Sequence, residues 1–181
     1  TLRSSGPAFC GPLTLAVRPH QTSIYMFSPT YYNVYWDGPF DLETVLQEAD
    51  QGWALYMVCG THTLYGRSVP LYIGQTTRSI GQRISEHAWI ESQPDPVQVY
   101  LGAISRPMSS WADIADDKTY PIPTQELLNE VEALLIYAHQ PGFNSRSIGR
   151  PPRIDRDIVI FNTGKRSSLL PELSTMYWID P

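Results

Sequence analysis

The chain has 181 residues, 42% of them apolar and 17% charged, with a net charge of −5. That is the size of one ordinary domain with material for a real core, which excludes a disordered chain. No apolar run approaches the roughly 20 residues of a bilayer-spanning helix, so no membrane partner is expected, and the acidic balance argues mildly against nucleic acid, whose partners usually show a basic excess.

The first residues, Thr1-Leu2-Arg3-Ser4-Ser5-Gly6, lack the basic end and apolar run of a signal peptide. They also lack an initiator Met, so a processed chain or a piece of a longer protein is expected. Ile24-Tyr25-Met26-Phe27 and Tyr31 to Trp36 are β-like by composition. Asp37-Gly38-Pro39 reads as a turn. Asp41 is placed to cap a short helix from Leu42 to Ala49, ended by Gln51-Gly52. Trp53 to Cys59 is a short apolar run and reads as a buried strand. Gly60 to Pro70 reads as a loop or hairpin connection, and Leu71-Tyr72-Ile73-Gly74 as a second strand. Ser79 to Ile90 has helical spacing of Ile80, Ile84 and Ala88, with Pro94 and Pro96 as stops. Val97 to Ile104 predicts a third strand, followed by a polar loop over 105–123. The clearest element is a helix capped by Thr124, whose Leu127, Leu128, Val131, Leu134, Leu135 and Ala138 form one apolar stripe. Pro141-Gly142 ends it. An Arg-rich loop, a strand-like Ile158 to Phe161 and a stretch rich in Leu and Ser complete the chain.

Two cysteines, Cys10 and Cys59, show no CxxC or Cys/His ligand spacing. A disulfide framework and a zinc finger are not expected, and a reducing, cytoplasmic setting is. Charge is unevenly spread. Residues 144–166 carry six basic and two acidic side chains, net +4, leaving −9 on the remainder. Eleven of the 13 basic residues are Arg, whose planar fork suits phosphate oxygens and guanine edges.

Several residues stand out chemically. Arg83 and His87 are four apart on a predicted helix, on one face that Glu91 continues. Glu132 falls at the edge of the apolar stripe beside Leu128 and Leu135, with His139 on the same flank and Glu126 and Glu130 on the opposite, solvated side. A carboxylate at a core border needs a partner or a metal. Tyr56 and Tyr72 lie in apolar strands, where a hydroxyl must find a hydrogen bond. Taken singly, each has an ordinary structural explanation.

Taken in order, the pieces resemble the GIY-YIG nuclease family. The matching segments are Ala54-Leu55-Tyr56, Leu71-Tyr72-Ile73-Gly74-Gln75-Thr76, Arg83-Ile84-Ser85-Glu86-His87, Glu132-Ala133-Leu134-Leu135-Ile136 and Pro141-Gly142-Phe143-Asn144. Together they span residues 52–145, about half the chain. Two features depart from the pattern. Ala54-Leu55 stands where the family has Gly-Ile, and the link from Tyr56 to Tyr72 is longer than the family's compact form. Neither removes a reactive group.

The resemblance implies an α+β fold, with a small central mixed or antiparallel three-stranded sheet flanked by helices. Residues 52–145 would form the nuclease core, with additions at 1–51 and 146–181. It implies hydrolysis of DNA phosphodiester bonds with one divalent cation, Mg²⁺ or Mn²⁺, bound by Glu132. Arg83 would hold the scissile phosphate. Tyr56 would serve as general base or position the water, Tyr72 and His87 would support the proton transfer, and Asn144 would brace the site. Arg78, Arg146, Arg150 and Arg153 are the candidate DNA contacts, and a symmetric target would call for a homodimer. Two other readings stand beside this one: a nuclease-like fold that binds nucleic acid or protein without cutting, and a hydrolase using Cys59, which no motif supports.

Overall fold

The computed structural model describes residues 28–47, 53–115 and 119–178. The predicted Ile24–Phe27 strand, Cys10 and the Gln51-Gly52 helix stop lie outside them. Six strands are described: β1 (Thr30–Phe40), β2 (Leu55–His62), β3 (Gly66–Gln75), β4 (Gln98–Ile104), β5 (Ile158–Gly164) and β6 (Glu172–Ser174). The helices are α1 (Leu42–Leu46), α2 (Ile80–Ser85) and α3 (Gln125–His139), with 3-10 turns at Ala88–Ser92, Trp111–Ala115 and Thr175–Trp178.

All six strands form one sheet in the order β3-β2-β4-β1-β5-β6. β2 pairs antiparallel with β3 and β4, β1 pairs antiparallel with β4 and parallel with β5, and β5 pairs antiparallel with β6. The expectation of a small three-stranded sheet is therefore overturned. The fold is mixed α/β with a six-stranded curled sheet and few helices. The physical reason lies in the flanking segments. Tyr32, Val34 and Trp36 of β1 and Ile158 and Ile160 of β5 are apolar, and they bury that surface by extending the sheet beside β4.

The sheet is covered on both faces, which explains the unbroken apolar run in β2. Side chains of a strand alternate between faces. Leu55, Met57 and Cys59 join Leu128, Val131, Leu134 and Leu135 of α3 in one core. Tyr56 and Val58 point the other way, to Val45 of α1 and Ile80 and Ile84 of α2. Each such Leu or Ile, fully buried, contributes roughly 1.5–3 kcal/mol of hydrophobic free energy.

Several boundaries move. Asp37-Gly38-Pro39 is not a turn that ends the strand. It is a bulge inside β1, where the register with β4 slips between Asp37 and Phe40, just past Trp36, the last residue paired with β5. Asp41 caps α1 as expected, its carboxylate accepting from Thr44 N at 2.7 Å, and α1 itself is shorter than predicted. The β2–β3 connection shrinks to residues 63–65, because both strands run on past Cys59 and ahead of Pro70. The predicted Ser79–Ile90 helix ends at Ser85, where the Ser85 hydroxyl donates to Gln82 O and His87 adopts non-helical angles (φ −94°, ψ 75°). Thr124 caps α3, accepting from Leu127 N at 3.3 Å, and Gln140 closes it in the left-handed region at φ 49°. Among the described residues no helix is long and apolar enough to cross a membrane.

Candidate functional site

The candidate site is built around the C-terminal end of the edge strand β3. Tyr72 and Gly74 share the face that α2 covers, and Ile73 between them points to α3. Gly74 has a direct steric reason to be glycine. A Cβ there would lie 2.4 Å from the Tyr56 hydroxyl and 2.7 Å from the Tyr72 ring. The missing side chain is the space in which the two phenols meet, so the Tyr-Ile-Gly signature encodes a shape.

Tyr56 is fully buried, 0% exposed. Its hydroxyl lies 2.7 Å from His87 Nε2, and its ring stacks on Tyr72 with centroids 5.9 Å apart. Tyr72 in turn meets the His87 ring at 4.6 Å. Burial first, and then the neighbouring Tyr72, push the Tyr56 phenol well above its ordinary value of 10.0, against the opposing pull of Arg83. His87 moves the other way. Burial and then Arg83 hold its pKa below 6.5, so the ring is neutral at pH 7. His87 was expected to share a helix face with Arg83. It stands instead just past the helix end, at the start of the 3-10 turn, and Glu91 lies exposed within that turn.

A polar cleft of about 570 Å³ opens in front of this group. Tyr72, Arg78, Arg83, Glu132, Asn144 and Arg146 all line it. Arg83 is half-buried and bonds through one Nη to Glu86 at 2.5 Å, and Glu86 also takes Arg78 at 2.8 Å. The two arginines are thereby tied side by side at the cleft wall. Asn144 clamps β3 from outside. Its amide donates to Ile73 O and its carbonyl accepts from Ile73 N, both at 2.9 Å. This holds the strand that carries Tyr72 and Gly74.

Glu132 enters the cleft from α3, half-buried. Burial raises its carboxyl above the ordinary value of 4.5, opposed by hydrogen bonding from Gln75 and by the charges of Arg83 and Arg146. Gln75 is fixed by Asn129 and Gln125, at 2.5 and 3.0 Å. Among the described residues no three His, Cys, Asp or Glu side chains gather as a metal-ligand group. A single carboxylate in a cleft lined otherwise by arginines, amides and hydroxyls fits a hard cation that keeps most of its waters, as Mg²⁺ does, better than zinc.

The structure does not bring all the predicted residues together. Arg150 and Arg153 are exposed and line a different cleft, with Pro151, Ile154 and Trp178. Glu130, expected on the solvated side, bonds Arg156 and is largely covered. His139 is also structural, with Nδ1 2.8 Å from Leu135 O and Nε2 accepting from Leu170 N at 2.9 Å. Cys59 is sealed in the core, and its thiol is pushed up to about 12 by burial, which removes it as a nucleophile. Three residues escaped the sequence reading: Glu86, which groups the arginines, and Gln75 with Gln125, which border Glu132. The four-residue spacing of Gln125 and Asn129 on α3 was the available signal.

Compared with protein-family models, with curated proteins and with solved structures, the chain matches none.

Proposed function

We propose that the protein is a divalent-metal-dependent endonuclease that hydrolyses DNA phosphodiester bonds, of the GIY-YIG kind that its motifs resemble. One observation carries the reading: an arginine, a half-buried carboxylate and a tyrosine line a single polar cleft, with a Tyr–His hydrogen bond directly behind the tyrosine.

Arg83 binds the non-bridging oxygens of the scissile phosphate. Glu86 occupies one of its nitrogens and leaves other N–H groups for the phosphate. Glu132 would hold the cation, which when bound supplies positive charge for the phosphate and its departing oxygen. Tyr72 faces the cleft and positions the attacking water. Tyr56, being enclosed, does not meet the water itself. It serves as a relay between Tyr72 and His87: Tyr72 takes the water's proton as it passes its own to Tyr56, and Tyr56 passes its own to His87, so neither phenol need ionise. Neutral His87 ends the relay, Nε2 accepting from the Tyr56 hydroxyl. One proton then leaves the water and one arrives on the imidazole. The proposed setting is cytoplasmic, in keeping with Cys59 as a free thiol.

The test is nicking of supercoiled plasmid with Mg²⁺, wild type against Glu132→Ala. Cleavage by the wild type and a loss of about 100-fold or more in the variant are expected. Equal cleavage by both would sink the assignment of Glu132. Salt-sensitive DNA binding with no cleavage by either would make the fold a binding module.

A further inference from the structure

An aromatic stack leads out of the cleft. Phe143 lines the cleft and is 43% exposed. Its ring lies flat on Trp89, with centroids 4.5 Å apart and planes 6° from parallel. Trp89 continues inward to Tyr72 and His87, at 6.0 and 6.1 Å. The stack is rigidly mounted. Phe143 N donates to Leu71 O at 2.8 Å, and the next residue, Asn144, brackets Ile73.

The exposed aromatic surface extends along the hairpin beside it. Tyr65 is 60% exposed and stacks on His62 at 4.6 Å. His62 packs so closely on Gly142 that a Cβ there would be 2.9 Å from its ring. Contiguous exposed apolar surface rimmed by polar residues marks an interaction site or ligand groove. The chemistry around these rings narrows the occupant. The cleft wall is polar, with Arg78, Arg83 and Arg146, hydroxyls and amides, which is poor ground for an apolar peptide. Flat rings for π-faces beside guanidinium groups for phosphates are what an unpaired nucleotide requires.

We infer that the Trp89–Phe143 stack is a nucleobase-binding site. One unpaired base of the DNA strand lies on Phe143 while a phosphate of the same strand sits at Arg83. This rests on the nuclease reading and deepens it: the substrate is DNA with an unpaired or extruded nucleotide beside the bond that is cut. Phe143 is then a positioning residue for the strand and takes no part in proton transfer.

The experiment measures binding by the full chain in EDTA, so that no cleavage intervenes. The two probes are a thymidine dodecamer and a dodecamer of the same backbone without bases. Wild type is expected to prefer the thymidine strand by roughly tenfold, within the range of one aromatic platform. Phe143→Ala is expected to lose that preference while its affinity for the baseless strand stays unchanged. Phe143→Tyr, which keeps the ring, is expected to retain it. If wild type binds both strands equally, the stacking site is overturned and the nuclease reading stands. If Phe143→Ala weakens both strands alike, Phe143 supports the fold and the proposal falls. If wild type binds neither, the DNA reading falls with it.

Discussion

The two flanks of α3 treat their carboxylates in opposite ways. On one flank Glu130 bonds Arg156, which also reaches the Tyr32 hydroxyl at 3.2 Å and fastens the Arg-rich loop to the helix. Two residues on, Glu132 is also half-buried, yet among the described residues it has no ion pair, and burial raises its carboxyl. A half-buried charge with hydrogen bonds but no ion pair is costly, and an amide or apolar side chain would relieve it. The first flank is complete as it stands. The second is what a site held ready for a cation and a phosphate looks like, and each prediction tests that contrast.

The largest effect is expected at Arg83. In Arg83→Ala, cleavage should fall about 100- to 1000-fold, as when a donor to developing charge is removed. DNA binding should change far less, because Arg78 and Arg146 remain in the cleft. Nicking rates and filter binding on the same protein separate the two. Equal loss of both would make Arg83 an anchor only.

The pH profile comes next. The relay needs neutral His87, whose pKa lies below 6.5. Activity should stay flat down to about pH 6.5 and then fall about tenfold per unit below the lowered value. The same shift favours the fold. That contribution is present above the ordinary histidine value and is lost as pH falls through the folded one. A limb centred above pH 6.5 would contradict the burial and charge effects assigned to His87.

The sequence made some of this contrast legible and hid the rest. Thr124 and the Leu128–Leu135 stripe define α3, because a cap and a helical period are both local signals. Tyr56, Tyr72, Gly74 and Glu132 stand out through motif order; Tyr72 and Glu132 line the same cleft, and Tyr56 is bonded to His87 behind Tyr72. The larger sheet was hidden because its pairings are not local. The partner of Thr30 is Ile158, and β6 has only three residues, too few for an alternating pattern. The end of α2 was hidden because Ile84 and Ala88 keep the helical period, while the Ser85 back-bond and the His87 backbone break it. Glu130 looked solvated because its partner, Arg156, comes from a loop whose path the spacing does not reveal. The same uncertainty sent Arg150 and Arg153 to a different cleft from Arg146.

The smallest expected effects compare the two flanks most directly. Glu130→Gln removes a partly exposed ion pair and should cost up to about 1 kcal/mol, or about 2–4 °C in Tm. Glu132→Gln should raise Tm at pH 7. A folded pKa above the unfolded one means stability is lost as pH rises through it, and the amide cannot ionise. The decisive measurement is Tm of wild type and both variants, with and without Mg²⁺. Mg²⁺ should stabilise wild type and Glu130→Gln, and leave Glu132→Gln unmoved. An equal rise in all three would contradict the claim that the open flank of α3 is held for a cation.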